Sequence, residues 1–239
     1  MTDGNTESFQ QTGRNTLSRR PQRGHYDKET VYGVLDAALI AHIGYTVDGQ
    51  IFVTPTSFWR EGDTLYWHGS RAGRGIIEQS KGIDVCFTVS QLDGLVFGRT
   101  GFSHSVNYRS AIAYGRTQLI DDIEGKARAM NAFIDRIYPG RSATLRPYHK
   151  TELVQISVIA MPIEDAVAKI RDGGVNEKEE DFGFPAGAGV LPLRTQVVDF
   201  KPDLRGRNDQ PAPKVVDDYL GAGSFASALL AHTRAGEKS

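Results

Sequence analysis

Apolar residues recur along the chain in two rhythms, and each change of rhythm marks an element. Val31, Val34, Leu35, Ala38 and Leu39 follow the i, i+3, i+4, i+7, i+8 spacing of one helical face. Asp27 precedes them. Its carboxylate can accept from the free N–H groups of a first turn, so a helix is predicted to open there. The period then shortens to two. Residues 41–46 lead into Val47-Asp48-Gly49-Gln50, a hairpin turn with Asp-Gly at its centre. Residues 50–60 resume as a strand rich in β-branched and aromatic side chains. Glu61-Gly62-Asp63 turns the chain again, and residues 64–68 return.

A Gly, Ser and Arg loop over 69–75 precedes a short helical piece at 76–80, which Lys81-Gly82 breaks. Ile83, Val85, Phe87 and Val89 then alternate with Asp84, Cys86, Thr88 and Ser90, the pattern of a half-buried strand. After Asp93-Gly94 come residues 95–98, a polar stretch over 99–109 and a strand over 110–120. Ala127, Met130, Phe133, Ile134 and Ile137 mark an amphipathic helix that Pro139-Gly140 closes. Residues 153–160 read as a last long strand and 163–170 as a short helix. Beyond Arg171 the chain is turn-rich and charged, with only 189–193 and 195–200 looking packed. Residues 201–214 read as a loop and 215–232 as a terminal helix. No internal repeat is present. Five to seven short strands at hairpin spacing, with few helices, predict a mainly β fold, an antiparallel barrel or sandwich.

Composition alters this picture at its edges. The 239 residues suit one domain with tails. Residues 1–24 are polar and are expected to form a flexible arm. Its arginines, Arg14, Arg19, Arg20 and Arg23, would be solvated or would pack on a partner subunit or an anionic ligand. Residues 25–200 would form the domain and 201–239 a partly helical C-terminal extension. Twenty-eight Lys and Arg face 29 Asp and Glu, a net charge of −1, which argues against a nucleic-acid binder and against charge-driven membrane binding. No apolar run approaches the ~18 residues of a membrane span, and the first residues lack the apolar core of a signal peptide. The expectation is a soluble cytoplasmic protein. The one cysteine, Cys86, excludes an intrachain disulfide and a multi-cysteine metal site.

Two stretches concentrate candidate chemistry. In the first, 65–74, a strand ends in Trp67-His68-Gly69-Ser70 and passes through Arg71 and Arg74 into a short helix. Glycines admit an anion to backbone N–H groups, and arginine adds bidentate contacts to phosphate. The alternative is a solvated hairpin loop. In the second, 93–110, Ser103, His104, Ser105, Asn107, Arg109 and Ser110 sit between two strands. No G-x-S-x-G elbow accompanies the Ser–His pair, which argues against acyl transfer. Six histidines are scattered without metal-ligand spacing.

The run Phe102-Ser103-His104-Ser105-Val106-Asn107-Tyr108-Arg109-Ser110, preceded by Leu92-Asp93-Gly94-Leu95-Val96, resembles a hallmark of the pyridoxamine 5′-phosphate oxidase-like flavin-nucleotide-binding proteins. These are related to the nitroimidazole-resistance reductases. Further matches fall in order from Arg19-Arg20 through Val53-Thr54-Pro55-Thr56 to Ala188-Gly189-Val190-Leu191-Pro192-Leu193. The resemblance implies a split β-barrel homodimer with FMN in a groove between subunits, acting on a small molecule as an oxidoreductase. It implies that Val53, Thr54, Pro55, Thr56 and Ser57 run along the isoalloxazine edge. Trp67, His68, Ser70 and Arg74 would hold the ribityl and phosphate groups, with Arg71 a second phosphate candidate. Asn107, Arg109 and Ser110 would lie near the ring. Strand neighbours point to opposite faces. His68 is therefore expected to face the ring as the catalytic proton donor, and Trp67 to anchor in the core. Relatives often carry tryptophan where this chain has Gly187. The alternatives are a non-catalytic flavin sensor or store, and a split barrel using a deazaflavin or haem. For haem, His42 and His149 are further candidate ligands.

Overall fold

The computed structural model describes residues 7–203, 205 and 212–236. Asp27 opens helix α1 (Lys28–Asp36) as expected, its side chain accepting from the Thr30 N–H at 2.8 Å. The helix buries Val31, Val34 and Leu35. Strands β2 (Ile40–Val47) and β3 (Gln50–Glu61) form the expected hairpin, with Asp48 and Gly49 both at positive φ in the turn. Strand β4 (Thr64–Ser70) pairs back on β3, and helix α2 (Arg74–Gln79) follows.

Strand β5 (Asp84–Phe97) is longer than the alternation indicated, because a bulge at Asp93 carries pairing with β6 (Ser105–Arg116) past the Asp93-Gly94 pair. After β7 (Gln118–Ile120) come α3 (Ile123–Ile137) and the short α4 (Lys150–Val154). Strands β8 (Ile156–Pro162), β9 (Asp165–Arg171) and β10 (Gly189–Pro192) follow, then helices α5 (Val215–Gly221) and α6 (Phe225–Gly236). Strand β1 (Gly24–His25) pairs with β9.

All pairings are antiparallel, in the order β1-β9-β6-β5-β2-β3-β4-β8-β7, with β10 added to β5. The sheet curls into a split barrel. Closure brings Gly115 of β6 against β8, where a Cβ would stand 2.2 Å from the Pro162 carbonyl. A side chain there would hold the two halves apart. The interior is filled by Ile43, Phe58, Leu65, Trp67, Phe87, Val89, Ile159 and Met161, all at most 2% exposed. A second cluster on the outer side of β3, β4 and β8 joins Trp59 and Val158 to Ala129 and Met130 of α3. Among the described residues no helix is long and apolar enough to cross a membrane.

Three expectations are corrected. Residues 7–24 are not a loose arm. Phe9 is buried in the main core, Asn15 is 1% exposed and caps the local backbone, and Arg14 reaches Glu164 and Asp165. One aromatic anchor and one ion-pair cluster fix an otherwise polar segment, and residues 1–6 lie outside the described residues. The helix expected over 163–170 is absent, and residues 165–171 form strand β9 instead. Ile163, Val167 and Ile170 mimic helical spacing, but the small Ala166 and Ala168 fit against Ala111 and Ala113 of β6. The strand expected over 153–160 begins only at Ile156, because His149 and Glu152 form a capping box that starts α4. The C-terminal helices pack on the domain. Tyr219 donates to the Ile137 carbonyl at 2.6 Å, and Arg136 donates to the Leu229 carbonyl at 2.9 Å.

Candidate functional site

Alternation along β4 divides its side chains between two environments. Leu65 and Trp67 enter the main core, where the Trp67 indole donates to Gln79 Oε1 at 2.8 Å. Tyr66 and His68 point to the other side, toward α3. His68 meets Phe133 edge-on at 5.1 Å and lies 6.4 Å from Trp59. Its Nδ1 is buried without a hydrogen-bond partner. Burial in this aromatic setting pushes its pKa below the usual histidine value, so the ring is neutral at pH 7. The expected separation of Trp67 from His68 is present.

Two cavities meet at His68. One, of about 680 Å³, is lined by Gly69, Ser70, Arg71 and Ala72 and by Val154, Gln155 and Ile156. The other, of about 450 Å³, is lined by Met130, Leu145, Arg146, Tyr148, Glu152, Leu153 and Ile156. The Arg71 backbone N–H is fixed to the Gln155 carbonyl at 2.9 Å. Arg146 holds Glu152 through both oxygens, which with the His149 N–H keeps that carboxyl at about 2. The groove thus joins apolar walls, an imidazole with an uncommitted nitrogen and arginines at both ends. Met130, Phe133, Arg146 and Tyr148 were not legible as site residues. Met130 and Phe133 read as an ordinary core stripe, and only the packing of α3 on β4 turns them toward His68.

A second group forms on the barrel side of β3. Thr54 Oγ1 lies 3.3 Å from the Tyr45 hydroxyl, and α2 lies across both. Gly75 makes that approach possible, since a Cβ there would sit 2.8 Å from the Tyr45 oxygen. Arg74 lies over the Phe52 ring at 4.3 Å and is exposed. Thr56 shares this phase. Val53, Pro55 and Ser57 project to the outer face, where Val53 is 61% exposed.

The β6 candidates lie apart from both groups. Asn107 is buried and accepts from Arg171. Arg109 is bidentate on Asp93, with both bonds at 2.8 Å. Ser110 donates to the Lys169 carbonyl. Ser110 shares the outer face with Ser57 but stands three strand positions away in the order β6-β5-β2-β3, about 14 Å at the usual inter-strand spacing. One subunit therefore brings together His68, Ser70 and Arg71, and separately Thr54 and Arg74, but does not bring Ser110 to either group.

Residues 27–170 match the pyridoxamine 5′-phosphate oxidase family model. Among solved structures, the flavocytochrome Anf3 from Azotobacter vinelandii is 43% identical, with TM-score 0.80 over 85% of this chain and 94% of that one. The FAD and haem binding protein from Mycobacterium smegmatis is 30% identical, with TM-score 0.78 over 82% of this chain and 97% of that one. A Bacteroides thetaiotaomicron structure described as a 5-nitroimidazole antibiotic resistance protein is 26% identical, with TM-score 0.52 over 62% of this chain and 86% of that one. No curated protein matches the chain. The family model spans more than half of the sequence, and the chain belongs to the pyridoxamine 5′-phosphate oxidase family.

Proposed function

We propose that this protein is a redox protein that binds both a flavin and a haem. The observation that carries the reading is the unpartnered, neutral His68 between two cavities, one of them with walls of Met130, Leu145, Leu153 and Ile156. A haem iron takes the lone pair of a neutral imidazole, its macrocycle wants apolar walls, and its propionates want cations. His68, the walls at Met130, Leu145, Leu153 and Ile156, and Arg71 and Arg146 fit those demands. His232 also has a buried, unpartnered Nδ1, but it is packed edge-on against Tyr219 and lines neither cavity at His68. His42, on the exposed outer face, and His149, in the α4 cap, fit less well. His68 is thereby assigned to haem rather than to proton transfer at the flavin ring.

The flavin would lie along β3, with Arg74 free to meet a phosphate. We take it as FAD rather than the FMN expected from the sequence, because the Mycobacterium smegmatis relative binds FAD and haem. Together the two groups would supply one- and two-electron redox chemistry toward a small-molecule reactant. The chain's own residues bind and orient them. Trp59 and Phe133 pack on the His68 ring and fix its orientation.

A homodimer is part of the reading. Ile51 and Val53 of β3 are each more than half exposed, and a second copy would cover such a patch. The test is an absorption spectrum of the purified protein, with chromatography of the released flavin. Soret and flavin bands together, with FAD released, support the proposal. Flavin bands with no Soret band after haem is supplied would refute the haem half, and release of FMN would refute the dinucleotide.

A further inference from the structure

At one end of the barrel the β5 register shifts between Leu92 and Gly94, leaving Asp93 in a bulge. Bulges re-aim side chains, and this one turns the Asp93 carboxylate onto Arg109 of β6. Arg109 meets it through Nε and Nη2, so its Nη1 edge keeps two donors that no bond uses among the described residues. The ion pair lines a cavity of about 380 Å³, walled by the α1–β2 connection, by residues 193–195 and by the start of α6. Backbone bonds hold those walls in place. The Leu193 N–H donates to the Asp93 carbonyl at 2.9 Å, and the Phe225 N–H donates to the Thr195 carbonyl at 2.8 Å.

The charge of this cavity is unbalanced. Arg109 and Arg194 face a single carboxylate, Asp93, and no other lining residue is ionised at neutral pH. Arg194 is exposed and has no partner among the described residues. The remaining wall is largely apolar, with Leu39, Ile40, Leu92 and Phe225. We infer that this cavity binds a small monocarboxylate with an apolar body. The carboxylate would meet Arg194 and the free Nη1 edge of Arg109, and the body would lie against Phe225 and Leu92. One negative charge balances the site, and planar guanidinium groups suit a carboxylate. The site is separate from the His68 groove and does not rest on the flavin and haem reading.

Calorimetric titration of the protein as purified, with phenylacetate and its neutral isostere phenylacetamide, tests the proposal. Saturable binding of one phenylacetate per chain is expected, with the amide at least roughly tenfold weaker because its charge-assisted contacts are gone. Arg194→Gln, an exposed change, should weaken phenylacetate about tenfold with an unchanged circular dichroism spectrum. No saturable phenylacetate binding, equal binding of the amide, or an unaffected Arg194→Gln titration would each overturn it.

Discussion

Arg74→Ala separates the flavin reading from a purely structural role for that residue. Arg74 is exposed at the start of α2, and its one aromatic contact is the Phe52 ring at 4.3 Å. An exposed cation–π contact is worth about 0.5–1 kcal/mol. In a domain of this size that corresponds to a fall in Tm of roughly 1–4 °C. A guanidinium on a phosphate is worth more, about 1.5–3 kcal/mol, which is roughly a ten- to 150-fold change in Kd. FMN and riboflavin differ only by the phosphate, so their fluorescence titrations isolate this contribution. The variant should bind FMN roughly ten- to 150-fold more weakly, and riboflavin almost as well as the wild type. FAD should follow FMN. Equal losses for FMN and riboflavin, or no loss for either, would show that Arg74 meets no phosphate. A fall in Tm well beyond the few degrees allowed by Phe52 would show a structural role instead.

Three further outcomes concern the scaffold. Asp36 and Arg60 form an ion pair with side chains 7% and 6% exposed, and Arg60 also stacks on Tyr32. Asp36→Ala should cost about 3–5 kcal/mol in urea unfolding, whereas Asp36→Leu with Arg60→Met should cost much less; a double variant as costly as the summed singles would refute this. Burial pushes the Asp27 carboxyl up, but the Thr30 hydrogen bonds outweigh it and hold the group below its usual range. The cap's contribution is therefore present above the unfolded value and lost as pH falls through the lower folded one. Asp27→Ala should cost about 1 kcal/mol at pH 7, with the gap starting to narrow below about pH 4; a gap that does not narrow at all on acidification would contradict the cap. Burial also lowers His68 and His232. The unfolded chain then binds more protons between those lowered values and about 6.5. Stability without haem should accordingly fall as pH drops below about 6.5, and His68→Phe should flatten the slope of Tm against pH; an unchanged slope would refute the contribution of His68.

Much of the barrel was legible where the local signal and the tertiary demand agree. The α1 stripe, the Asp-Gly hairpin, the β5 alternation and the α3 stripe each follow from side chains that meet one interior. β9 was hidden because alanines carry its packing against β6, which leaves an apparent helical spacing in the larger residues. The N-terminal segment was hidden because its order depends on Phe9, Asn15 and Arg14 finding partners far along the chain. At the site, strand alternation alone separated His68 from Trp67. The groove itself needs α3 and α4, whose residues lie some sixty to ninety positions away and carry no mark of their role. The polar run at 103–110 drew notice for its chemistry, yet Asn107 and Arg109 are engaged by Arg171 and Asp93 within the chain. Bond-making capacity is visible in sequence, but prior commitment of that capacity is not.

The central claim is that His68 holds a haem beside a flavin that binds independently of it. The most direct measurement is a haem titration of flavin-loaded wild type and His68→Ala, followed at the Soret band. The account predicts one haem per chain in the wild type, loss of the ligated Soret spectrum in His68→Ala, and flavin bands of equal intensity in both. Identical Soret titrations for the two proteins would contradict it.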